Sequence, residues 1–246
     1  MKVFLINLDK DIEKLAAADR QLKALGVKYE RVPAVYGKDL SDDEKKNTVD
    51  YFRWWCAVGR SVADAEIGCA LSHYGIYSRM SGAEQCVCIL EDDVVLDSVF
   101  PEMLEFVEQN VDASRPQVIL LSDHEGRYDS CQDNMGGGHR SLIRSENGTC
   151  AEAYVITFPA AKALLKKNLP MVVPCDTWGR WAGDGSIELY HALPTVAGQN
   201  QEKYGSSTSS GRKSVNEYAL VAKMNHYMKR SIGKTMDFVL RKATGK

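Results

Sequence analysis

Several things are missing from this sequence, and each absence narrows what the chain can be. No apolar run approaches the eighteen or so residues of a membrane-spanning helix. The seven cysteines include no CxxC pair, so neither a zinc ribbon nor a thioredoxin-like centre is indicated, and all seven read as reduced thiols. The apolar start, Met1 to Leu8, is too short for a leader and meets Asp9 and Asp11 with no small-residue cleavage site. It reads as a first strand, and the expected location is cytoplasmic. Gly136-Gly137-Gly138 lacks the strand-to-helix setting and the Lys-Ser/Thr pair of a phosphate loop. Internal repeats and recognised nucleic-acid motifs are also lacking, so a nucleic-acid partner is not expected.

What is present suits one large α/β domain. At 246 residues and 44% apolar content the chain can bury a sizeable core. Residues 2–8 read as a strand, 10–25 as an amphipathic helix ended by Gly26, and 27–32 as a second strand. That β-α-β opening predicts parallel strands. Helices are expected over 65–80, 100–110 and 159–167, and strands over 87–90, 117–121 and 153–158. The Tyr51-Phe52-Arg53-Trp54-Trp55 cluster reads as core packing or as a platform for a sugar ring. Residues 126–148 read as a hairpin or mobile loop. The formal charge of −2 is uneven: residues 203–246 hold ten Lys or Arg against Glu217 and Asp237. The expected organisation is a domain over 1–203, a flexible loop or linker over 204–214, and a basic helical tail over 215–246. That tail suits an anionic membrane surface, which would place the protein peripherally at the inner face of the plasma membrane.

The densest chemistry lies in Glu91-Asp92-Asp93, set between the apolar runs Val87–Leu90 and Val94–Leu96. Adjacent carboxylates at ~5 Å and an effective dielectric of ~20 repel by about 3 kcal/mol per pair. The triplet is either a solvated turn or a cation site, and oxygen-only donors suit Mn²⁺ or Mg²⁺. Glu91 and Asp93 share side-chain parity on an extended chain, with Asp92 opposite.

Four segments matter together: Phe4-Leu5-Ile6-Asn7-Leu8-Asp9 with Asp19-Arg20; Glu66-Ile67-Gly68-Cys69-Ala70-Leu71-Ser72-His73; Leu90-Glu91-Asp92-Asp93-Val94; and Gly148-Thr149-Cys150-Ala151-Glu152-Ala153-Tyr154-Val155-Ile156 with Ala160–Leu165 and Pro174-Cys175-Asp176. In this order, over roughly residues 2–200, they resemble glycosyltransferase family 25. That family includes bacterial lipopolysaccharide and lipooligosaccharide galactosyltransferases and the collagen galactosyltransferases.

The resemblance implies a GT-A type fold, with a mostly parallel, nucleotide-binding α/β sheet. It implies a UDP-sugar donor, usually UDP-galactose, a divalent cation, inversion at the anomeric carbon, and a glycan acceptor that is expected to be lipid-linked. In that frame Asp93 and Glu91 are the expected metal ligands, with His191 and Gln199 as further candidates. Asp92 binds the ribose or caps a helix. Asn7 and Arg20 are expected at the nucleotide, although Arg20 equally suits a solvated helix face. Ser72 and His73 are expected near the donor, against a packing role. Asp176 is the expected general base, against plain helix capping, and Glu152 and Asp123 are the other candidates. Two other readings stand beside this one. A non-catalytic sugar-nucleotide or glycan-binding protein is opposed by the intact acid triplet. A phosphotransfer domain is opposed by the lack of the spacing an aspartyl phosphatase requires.

Overall fold

The computed structural model describes residues 1–122, 134–135 and 139–200. Asp123, the glycine run at 136–138, and the expected linker and basic tail from 204 onward lie outside the described residues. An eight-stranded sheet organises the rest, in the order β2 (Glu30–Pro33), β1 (Lys2–Asn7), β3 (Cys86–Glu91), β8 (Ala153–Thr157), β5 (Gln117–Leu120), β9 (Glu188–Leu193), β7 (Ser141–Ser145), β6 (Asn134–Met135). The pairing of β1 with β2 and β3, and of β5 with β9, is parallel; β8 and β7 run against their neighbours. Six of the eight strands therefore point one way, as expected. A second, two-stranded sheet pairs β4 (Val94–Leu96) with β10 (Ala197–Gln199).

Strand alternation divides the core into two layers. Val87 and Ile89 of β3 face α3 (Tyr51–Val58), α4 (Asp64–Arg79), α6 (Phe158–Asn168) and α7 (Trp178–Gly183), where Trp54, Tyr74, Ala161 and Trp178 are buried. Cys88 and Leu90 face α1 (Ile12–Ala24) and α5 (Phe100–Asn110), against Leu22, Phe100 and Met103. Cys88 is thus the small buried residue its strand position predicts.

Two elements depart from their sequence expectation. The second strand begins at Glu30 rather than Val27. Gly26 adopts φ +67° and closes α1, its N–H bonding Lys23 O at 3.1 Å while the Val27 N–H bonds Leu22 O at 2.9 Å. Those bonds satisfy the last carbonyls of the helix and hold Val27 beside it. After the short polar helix α2 (Asp42–Thr48), the aromatic cluster becomes helix α3, capped by the Asp50 side chain, which accepts from the Arg53 N–H. Only Trp54 enters the core, while Tyr51 and Phe52 are exposed.

Candidate active site

The carboxyl ends of parallel β1 and β3 open into a cleft of about 430 Å³, within the range of small-molecule sites. Helix α1 forms one wall. The loop after β2 and the first turns of α4 form the other. That second wall depends on two glycines. A Cβ on Gly37 would lie 1.8 Å from Asp64 O, and one on Gly68 would lie 2.4 Å from Val35 O. The Ser72 hydroxyl stitches the same seam, donating to Gly68 O at 2.7 Å and accepting from the Val35 N–H at 2.8 Å. The Glu66 carboxylate holds the start of α4, accepting from the Ala63 N–H at 2.9 Å and from Arg60.

All three acids of the triplet line the cleft. The parity argument fails beyond Glu91, because Asp92 and Asp93 form a turn between β3 and β4 rather than extended chain. Asp92 accepts from Asn7 Nδ2 at 2.7 Å and lies 3.5 Å from the Lys14 ammonium. Burial raises its pKa, opposed by Asn7 and Lys14. Asp93 is buried; its Oδ2 accepts from Gln199 Nε2 at 3.0 Å and lies 3.8 Å from Lys14. Its Oδ1 is buried with no hydrogen-bond partner. Burial first, and repulsion from Glu91 second, push its pKa to about 6. Glu91 lies 3.1 Å from His73 Nε2, and His73 Nδ1 lies 2.7 Å from the Tyr154 hydroxyl. Burial works against a charge on His73, but hydrogen bonds to Cys69 and Glu91 outweigh it and raise the pKa to about 10.

A sequence model of glycosyltransferase family 25, described as an LPS biosynthesis protein, matches residues 1–178. The chain belongs to glycosyltransferase family 25. A family 25 member from Drosophila pseudoobscura is 35% identical over 179 residues, which cover 71% of this chain and 28% of the relative. Procollagen galactosyltransferase 1-A from Xenopus laevis is 29% identical over 184 residues, covering 71% of this chain and 30% of that protein. The chain thus spans about 30% of the length of these relatives. A solved Drosophila galactosyltransferase 7, in complex with manganese, UDP-Gal and xylobiose, is 11% identical, with a TM-score of 0.42 over 89% of this chain and 78% of that one. So loose a likeness is compatible with many α/β sheets.

The family 25 segments converge in space, but not every expected residue reaches the cleft. Asn7, Ser72, His73, Glu91, Asp92 and Asp93 all line it. Asn7 is already committed: it donates to Asp92 and to Asp11 O, and accepts from Arg31 Nε at 3.0 Å. Gln199, brought in by β10, touches Asp93. Arg20 sits on the exposed face of α1, away from the cleft. Six residues beyond Lys14, it lies about 240° further around the helix. His191 is buried on β9 with Nε2 2.8 Å from Asn147 O and is not among the cleft residues. Glu152 is buried beside the triplet, where its carbonyl receives the Glu91 N–H, and its side chain does not line the cleft.

Asp176 is not among the cleft-lining residues, and it precedes α7 without capping it; Thr177 holds the N-cap position, and no side chain closes that end. Burial raises the Asp176 pKa, helped by repulsion from Glu91, while its own and the Cys150 backbone N–H groups and His73 pull it down. Its carboxylate is therefore electrostatically coupled to the triplet. The sequence reading missed Lys10, Lys14, Tyr36 and Lys38, which all line the cleft, with the Lys10 ammonium 3.9 Å from the centre of the Tyr36 ring. The missed signal was topological. If β1 and β2 are parallel, their following loops leave the same sheet edge, with Lys10 in the turn before the intervening helix and Lys14 in its first turn.

Proposed function

We propose that this chain is a metal-dependent, inverting glycosyltransferase of GT-A type. It moves a hexose, galactose by the names of its relatives, from a UDP-sugar to a lipopolysaccharide- or lipooligosaccharide-type glycan. The observation that carries this reading is the acid triplet at the end of β3, in the cleft that β1 and β3 open, with the Asp93 Oδ1 buried and unpartnered. A buried orphan oxygen among oxygen donors fits Mn²⁺ or Mg²⁺, and Asp93 with Glu91 would hold it. When bound, such a cation supplies Lewis-acid neutralisation of the leaving diphosphate.

The chain's own residues do the rest. Lys10 and Lys14 bind the diphosphate from the α1 wall. Tyr36 presents an aromatic surface to the uracil. Asn7 fixes Asp92 toward the ribose, and His73, itself held by Tyr154, orients Glu91. Asp176 takes the acceptor hydroxyl proton on its carboxylate. It is half-buried and coupled to the triplet, whereas the Glu152 side chain is sealed in the core. The lipid-linked acceptor, a membrane contact through residues 215–246 and a cytoplasmic location belong to the same proposal. Among the described residues no helix is long and apolar enough to cross a membrane.

One observation favours a second reading, a non-catalytic sugar-nucleotide binder. Lys14 already lies within 4 Å of both Asp92 and Asp93, neutralising part of the cluster without a metal. UDP release from a panel of UDP-sugars, with and without Mn²⁺, separates the two. Donor-selective, Mn²⁺-dependent release that disappears in Asp93→Ala is the result expected of the transferase. Tight UDP binding with no release, whatever the donor or acceptor glycan, establishes the binder.

A further inference from the structure

A second cluster of metal-ligating side chains lies against the floor of the cleft, and its chemistry differs from that of the acids. Cys69 and His73 are one turn apart on α4 and so share a helix face. Cys175 arrives from the segment before α7, 106 positions along the chain. Its Sγ lies 3.7 Å from Cys69 Sγ, and the Cys69, His73 and Cys175 donor atoms all fall within 4.8 Å of one another. Glu91 Oε1 closes the group, 3.1 Å from His73 Nε2 and 3.9 Å from Cys69 Sγ.

We propose that Cys69, His73 and Cys175, with Glu91 as fourth donor, form a binding site for a thiophilic divalent cation such as Zn²⁺. Three features carry the assignment. Two thiolates bound tetrahedrally at about 2.3 Å stand roughly 3.8 Å apart, which is the spacing these sulfurs already have. His73 Nε2 faces the cluster because Nδ1 is engaged by the Tyr154 hydroxyl, which in turn lies 2.6 Å from the Tyr77 hydroxyl; metal-binding histidines are oriented in this way. Cys69 lines the cleft, so an ion has a route in. The donor set of two sulfurs, one nitrogen and one oxygen is soft, whereas Asp93 and its neighbours offer oxygen alone. The two positions therefore select different metals. Glu91 stands between them and serves one at a time. The site does not depend on the transfer reaction.

Co²⁺ titration of the full chain, read by absorption, tests this. Wild type is expected to bind one equivalent with the intense visible bands of tetrahedral cobalt and a thiolate-to-cobalt charge-transfer band, both lost on adding Zn²⁺. The Cys56→Ser/Cys131→Ser/Cys150→Ser variant keeps these bands, and Cys69→Ser/Cys175→Ser loses them with its far-ultraviolet circular dichroism unchanged. Tyr154→Phe weakens Zn²⁺ about tenfold. A wild-type spectrum without charge transfer, or a band that survives Cys69→Ser/Cys175→Ser, overturns the site. Should that double variant not fold, X-ray absorption of the Zn²⁺-loaded Cys56/Cys131/Cys150 variant decides. Two sulfurs at about 2.3 Å support the site, and a shell of only nitrogen and oxygen refutes it.

Discussion

On one side of the sheet, β2, β1 and β3 run parallel and release their loops at one edge. On the other, β8 and β7 reverse direction between their neighbours. The parallel side gathers Tyr36, Asn7 and the acid triplet into one cleft and leaves Asp93 Oδ1 without a partner. On the α6 side of the mixed half, Trp181 Nε1 is also unpartnered, but the polar groups of Asn168 and Thr157 are buried and bonded. Asn168 donates to the Tyr74 hydroxyl at 2.6 Å and to Val173 O, and accepts from the Val172 and Val173 N–H groups. Thr157 accepts from the Gln117 N–H and donates to Arg115 O. Parallel strands bring several loop ends to one place, so charge accumulates there. Reversing strands spread their loops over both edges, and their polar groups serve packing.

The contrast can be broken most strongly at Asp93. Asp93→Ala is expected to lower kcat/KM for UDP-sugar turnover about a thousandfold, roughly 4 kcal/mol of transition-state stabilisation. A substitution there should also stabilise the metal-free protein. Because the folded pKa is raised to about 6, the native state holds its proton when the unfolded chain has already lost it. The resulting cost is absent near pH 3 or below, where both states are protonated, and complete above about pH 7, where neither is. In urea denaturation, metal-free Asp93→Asn is expected to exceed wild type by about 3 kcal/mol near pH 8, with the gap closing toward about pH 3.

Asn168→Ala is the counterpart in the mixed half. It strands two backbone donors and a buried tyrosine hydroxyl, for about 3 kcal/mol of lost stability with UDP affinity unchanged by calorimetry. Weakened UDP binding in that variant would mean the two halves are coupled. Gly68→Ala tests the wall between β2 and α4. Its new methyl meets the Val35 carbonyl, so about 2 kcal/mol of stability is expected to go, together with UDP affinity, because the displaced loop carries Tyr36. The smallest effect sharpens the contrast within α1. Lys14→Met is expected to weaken UDP about tenfold, near 1.4 kcal/mol, while Arg20→Met changes nothing.

Much of this was legible from local pattern. The expected helices over 65–80, 100–110 and 159–167 stand at Asp64–Arg79, Phe100–Asn110 and Phe158–Asn168, because apolar spacing and terminal prolines are local signals. The strands through Val87–Leu90 and Val118–Leu120 are continuous apolar runs, and buried strands look like that in any order. Ile12, an apolar residue of the amphipathic α1, is exposed, since the helix only begins there. Arg20, expected at the nucleotide, faces away while Lys14 lines the cleft: composition shows which cations are near a motif, but only the helix phase shows which of them face it.

The sequence by itself determined the element types, the α/β class, the acid triplet and the family, because propensity, periodicity and short motifs act over a few residues. Tertiary structure alone decided that Asp92 turns into the cleft with Asp93, that β8 inserts between β3 and β5, and that Cys69 meets Cys175. Those outcomes depend on contacts between residues far apart in the chain. Their free energy comes from burial and hydrogen bonding across the sheet, and no short stretch of sequence encodes it.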